Sequence, residues 1–120
     1  MIRGCVVQQR VVMALLALAL GLGSAALKAR ETSDNFRDYC SLCHGVKGEG
    51  GVWRGKKIIG KNTRQLSDTA LYHIIEQGRP ERGMPSFATA LSNKDISALV
   101  VYIGTLQGVE RSAPAIVSGD

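Results

Sequence analysis

The chain has 120 residues, 15 of them basic and 10 acidic, for a net charge of +5. That length holds one small domain, and 45% hydrophobic against 21% charged residues excludes a disordered chain. Three cysteines are too few for a disulfide scaffold, and the composition excludes a collagen-like chain and a large multi-domain enzyme.

The first predicted element is an export segment. Arg3 and Arg10 flank a polar start, Val11 to Leu22 reads VVMALLALALGL without a charge, and Gly23, Ser24, Ala25 and Ala26 follow. A basic head, an apolar run of about a dozen residues and a small-residue exit describe a secretory signal peptide. The run is shorter than the about twenty residues of a spanning helix, so an uncleaved N-terminal anchor is the second reading. Cleavage after Ala26 puts Ser24 and Ala26 at the small positions and removes Cys5 with the signal. Losing Arg3 and Arg10 leaves 13 basic against 10 acidic residues, so the high pI is partly a targeting feature and no nucleic-acid partner is expected. The domain is expected over 27–110, with 111–120 as a tail; periodicity is already lost from Gln107 onward.

Three helices are predicted after the signal. In the first, Phe36, Tyr39, Cys40 and Cys43 recur at helical spacing, with Ser33 or Asp34 as its cap and Gly45 as its end. The second runs from a Ser67 cap to near Gly78 and buries Leu71, Ile74 and Ile75. The third opens with Ser92 and Asp95 as a capping box and buries Ile96, Leu99, Val100, Ile103 and Leu106, with Tyr102 at the edge. A glycine-rich basic loop carrying Arg54, Lys56, Lys57 and Lys61 joins the first two helices, and Pro80 and Pro85 forbid a helix between the last two. No segment alternates long enough for a strand.

Cys40-Ser41-Leu42-Cys43-His44 carries the chemistry. C-x-x-C-H is the spacing for covalent c-type haem attachment: two thiols one turn apart reach two vinyl groups, and the adjacent imidazole reaches the iron. A thioredoxin-like redox pair is one alternative, but it needs a βαβ pattern that is absent here. Structural zinc wants four ligands, and Cys40, Cys43 and His44 supply three, with His73 the only other histidine. A plain disulfide between Cys40 and Cys43 is the third alternative.

From about Ser33 to Leu106 the chain resembles a small bacterial class I cytochrome c. The resemblance rests on CSLCHG at 40–45, GKKIIG at 55–60, LYHIIEQG at 71–78, GMPSF at 83–87 and SNKDISALVVYIGTL at 92–106. It implies an all-α fold, with three main helices and loops wrapped around one covalently bound haem c and its iron. It places Phe36 and Tyr102 where the first and last helices cross. It implies His44 and Met84 as the axial iron ligands, Met84 lying beside Pro85 in the loop before the last helix. His73 is the rival to Met84, and it sits about 200° around its helix from Leu71, on the polar side. The family often has Gly-Pro-x-Leu after the haem motif, with the Pro carbonyl accepting from the proximal His. Here Lys56 stands at that Pro, so a carbonyl is available on a less fixed backbone. The basic loop residues are a solvated face, or they pair with haem propionates or steer an acidic redox partner. Trp53 either bonds a propionate through its indole N–H or packs.

The implied function is that of an exported, periplasmic electron carrier rather than an enzyme, passing single electrons between redox proteins by Fe(III)/Fe(II) cycling. A membrane enters only through a retained N-terminal segment or a membrane-bound partner. The alternatives are a cytochrome subunit of a larger dehydrogenase or oxidase, and a haem sensor that binds small ligands. Gly119-Asp120 resembles the start of a further domain of this type, as at the front of a two-haem protein.

Overall fold

A computed structural model describes residues 2–51 and 55–115; side chains of the first helix are described at 8–13 and from 23 onward. Trp53, Arg54 and Gly119-Asp120 lie outside the described residues. The order is α1 (Ile2–Tyr39), α2 (Ser41–His44), α3 (Lys61–Arg64), α4 (Asp68–Gln77), a 3₁₀ turn (Pro80–Arg82) and α5 (Asn93–Gln107). The expected all-helical architecture is found, with α1, α4 and α5 as its main helices. The pairing nearest to a strand among the described residues is one isolated bridge, Arg79 with Met84. Residues 1–31 and 32–120 form two separate compact units. Among the described residues no helix is long and apolar enough to cross a membrane.

The first helix does not start at Ser33 or Asp34. It runs unbroken through them, because no Gly or Pro stands between Ala25 and Tyr39 to interrupt the preceding turns. A capping side chain favours a start only where the chain before it has left the helix. The interruption falls instead at Cys40, and α2 then ends at Gly45, whose φ of 81° suits glycine.

The other two main helices follow their expected signals. Ser67 Oγ accepts from the Ala70 amide at 3.1 Å to open α4, and Gly78 closes it. At α5 both halves of the capping box form: Asp95 N–H donates to Ser92 Oγ at 3.2 Å, and Ser92 N–H donates to Asp95 at 3.1 Å. α4 packs on α5. Ile96, Leu99, Val100 and Ile103 are buried as expected, and Leu106 is half-buried. On α4, Leu71 and Ile75 are buried, but Tyr72 is buried in place of Ile74, which is half-buried. A tyrosine ring brings more apolar area than its polar tip costs when that tip stays near the surface. Phe36 completes the core from α1, and its ring lies 5.4 Å from that of Tyr102, tilted by 54°.

Candidate functional site

The segment 40–44 is organised by one carbonyl. Cys40 O accepts from the Cys43 amide at 3.2 Å and the His44 amide at 2.9 Å, so both cysteines and the histidine share a single turn. Both thiols are free in this structure. Cys40 is half-buried against the core, and burial, then Cys43, pushes its thiol up to about 11. Cys40 therefore stays a protonated thiol at neutral pH. Cys43 is exposed.

Two glycines of the basic loop hold this turn. A Cβ at Gly55 or Gly51 would fall on the Cys43 carbonyl. Only glycine lets the loop backbone come this close. The approach brings Lys56 O to 2.6 Å from His44 Nδ1. A carbonyl can only accept, so Nδ1 carries the proton and Nε2 keeps its lone pair for a metal. Lys56, standing where the resemblance has Pro, thus supplies the carbonyl bond to His44.

Met84 is presented by a separate, equally constrained loop. After α4, the 3₁₀ turn ends at Gly83 in the left-handed region, with φ 83° and ψ 9°. Arg79 N–H donates to Met84 O at 2.8 Å, and Met84 N–H donates to Arg79 O at 3.1 Å. A Cβ at Gly78 would strike the Pro85 backbone, so Gly78 lets the Met84–Pro85 segment lie against the end of α4. Ser86 Oγ donates to Glu76 O at 2.6 Å and ties down the other side. Met84 is half-buried. His73 is on the polar side of α4 as expected, 54% exposed, with Nδ1 3.1 Å from Glu76 Oε2 in a surface hydrogen bond.

The donor set fits a covalently held haem: two free thiols on one turn, an imidazole with its proton held on Nδ1, and a thioether on a braced loop. Among the described residues no three His, Cys, Asp or Glu side chains come together as a metal cluster. The exposed Lys56, Lys57 and Lys61 line a cleft of about 450 Å³ together with Arg79, Thr63 and Leu66.

Residue patterns left several functional positions unread. Gly51 and Gly55 were visible only as part of a glycine-rich loop. The residues after Leu106 lose periodicity, yet Gln107 and Arg111 are buried polar side chains bonded into the fold. Such bonding joins positions 43 to 49 residues apart and has no local signature.

Comparison with known families gives a match over residues 27–103 to the model described as cytochrome c oxidase, cbb3-type, subunit III. No curated protein matches the chain.

Proposed function

The chain belongs to the cytochrome c family and holds a covalently bound haem c for electron transfer; from that premise we propose that it is an exported single-electron carrier with His44 and Met84 as axial ligands. Residues 1–26 are read as the export segment, and the carrier domain begins at Leu27 and takes in Arg111 and Ser112, which are bonded into it. Cys40 and Cys43 would hold the haem through thioethers, which form by addition of each S–H across a vinyl group with no leaving group. Bound haem supplies the Fe(III)/Fe(II) couple.

The observation that carries this reading is the 2.6 Å bond from His44 Nδ1 to Lys56 O. It fixes the tautomer that leaves Nε2 for iron, and it makes the imidazole a stronger electron donor. Met84 adds a soft sulfur donor, which favours the reduced state relative to a second imidazole. With both ligands in place, no open position remains for substrate. Lys56, Lys57, Lys61 and Arg79 attract carboxylates, either those of the haem or those of an acidic redox partner.

A second reading has its own support, since the matched family is that of an oxidase subunit. In that case the chain is a permanent component of a larger complex, and a stoichiometric partner co-purifies with it.

The deciding experiment is expression of the full chain with a haem c maturation system, followed by ferric and ferrous absorption spectra. The expected result is one covalent haem per chain and a weak far-red sulfur-to-iron band that Met84→Ala removes. A band that survives in Met84→Ala would overturn the Met84 assignment, and absence of covalent haem would overturn the carrier. Mass spectrometry of the exported protein is expected to place its first residue at Leu27.

A further inference from the structure

The matched family region ends at residue 103, but a polar side chain with five hydrogen-bond partners lies beyond it, at Arg111. The chain reaches that point because Gly108 turns in the left-handed region, with φ 66°, and folds the following residues back along α5. Gly104 leaves room for them, since a Cβ there would press on Val109 O and on the Arg111 side chain at 2.8–2.9 Å. The Arg111 side chain is only 3% exposed.

Its guanidinium gathers three separate parts of the chain. One terminal nitrogen donates to Asp68 Oδ1 at 2.7 Å and Leu66 O at 3.1 Å. The other donates to Thr63 O at 3.3 Å and Arg64 O at 3.4 Å. These carbonyls lie at the end of the short α3, where Thr63 O also accepts from the Leu66 amide at 3.2 Å. The third nitrogen, Nε, donates to Gln107 Oε1 at 2.8 Å.

That last bond has a consequence for the other end of Gln107. With its oxygen turned to Arg111, the amide can only present its NH₂ to the opposite side. There Nε2 donates to Ile58 O at 2.9 Å, and Gln107 is 2% exposed, so no water competes for the bond. Ile58 and Ile59 also donate to Gly48 O, at 2.8 and 3.2 Å, so the Ile58 backbone is gripped from both sides. Two residues before Ile58 is Lys56, whose carbonyl accepts from His44. Residues 55–57 belong to no helix or strand. The Lys56 carbonyl is therefore held by what anchors the segment at each end: Gly55 against Cys43 on one side and Ile58 on the other.

We propose that Arg111, acting through Gln107 and Ile58, is a positioning residue for His44: it orients the amide that anchors the Lys56 carbonyl and so sets the strength of the His44 Nδ1–H bond. The inference rests on His44 being an iron ligand. A loosened Lys56 carbonyl makes the imidazole a weaker donor, disfavours Fe(III) and raises the reduction potential.

The test uses the full-length haem-loaded protein. Arg111→Met removes the guanidinium bonds and frees the Gln107 amide to turn, and Gln107→Leu removes the Ile58 anchor while the contacts of Arg111 with α3 remain. Ile103→Val is the control for general loss of stability. Three quantities are read: the midpoint potential, the melting temperature, and the NMR exchange rate of the His44 Nδ1 proton in the reduced protein. Both network variants are expected to raise the potential and to speed that exchange by roughly fivefold or more, the effect of one lost hydrogen bond on a local opening. Arg111→Lys keeps the charge but not the fork and is expected to fall between Arg111→Met and wild type. Ile103→Val is expected to melt earlier with potential and exchange unchanged.

Network variants that melt earlier while their potential and proton exchange match wild type would overturn the proposal and leave Arg111 a purely structural residue. If Arg111→Met does not fold, Gln107→Leu decides alone. His44→Ala separates the two levels: a haem spectrum and potential unchanged in that variant would sink the ligand assignment itself, whatever Arg111 does.

Discussion

A backbone carbonyl offers only lone pairs, and this limitation gives the 2.6 Å contact between His44 and Lys56 its chemical content: the imidazole is a donor at Nδ1 and a potential ligand at Nε2. The side chain of Lys56 plays no part in the bond, so any residue that keeps the backbone path could serve there. What the path requires is glycine at position 55, whose hydrogen faces the Cys43 carbonyl where a methyl group has no space. Gly55→Ala is expected to destabilise the haem-loaded protein by about 2–3 kcal/mol, or to prevent haem attachment, as overpacking against rigid backbone does. Gly60→Ala is the comparison, since a Cβ there meets nothing nearer than Lys57 O at an ordinary 3.4 Å. Thermal melts of the two variants, with haem content per chain, check the contrast. Equal losses would mean that the loop relaxes freely around the haem motif.

At the scale of helices, local chemistry reads well where it is self-contained. The Ser92–Asp95 box is complete within four residues, and Ser92→Ala is expected to cost about 1 kcal/mol. For a domain of this size that lowers the melting temperature by about 4–8 °C, measurable by circular dichroism. Ser33 and Asp34 carry the same residue types, yet they sit inside α1 because the turns before them are already helical. A cap signal is thus a statement about two neighbouring segments, the one that follows it and the one that precedes it. The swap of Tyr72 for Ile74 on α4 has a related cause: which side of a helix is buried depends on what packs against it, and that is not written in the helix's own apolar spacing.

At the scale of the molecule, Asp68 joins α4 to the end of the chain. Its carboxylate accepts from the Ser112 amide at 2.9 Å and from Arg111 at 2.7 Å. The Ser112 bond first, and Arg111 after it, hold this carboxyl below its ordinary 3.8 in spite of its desolvation. A depressed folded pKa means that the stabilisation is complete above the unfolded value, near pH 4, and is lost as pH falls through the lower folded value. Asp68→Asn is therefore expected to melt earlier than wild type at pH 7, with the gap closing as both are acidified below about pH 4. Melting curves across that range check it; a gap independent of pH would show that charge on Asp68 contributes nothing.

Legible in the residues alone are the C-x-x-C-H spacing at Cys40, Cys43 and His44, the caps at Ser67 and Ser92, the buried stripe of α5 and, through the family resemblance, the crossing of Phe36 with Tyr102. Each is written in residues a turn or two apart, or follows from a family resemblance that preserves them. The packed chain was needed to show that the carbonyl available at Lys56 in fact meets His44, that Gly51 and Gly55 make room for it, and that Arg111 belongs to the fold rather than to a tail. Those outcomes depend on backbone groups that every residue possesses and on contacts between positions far apart in the chain. Identity along the sequence does not encode them; the packed chain alone brings donor and acceptor together.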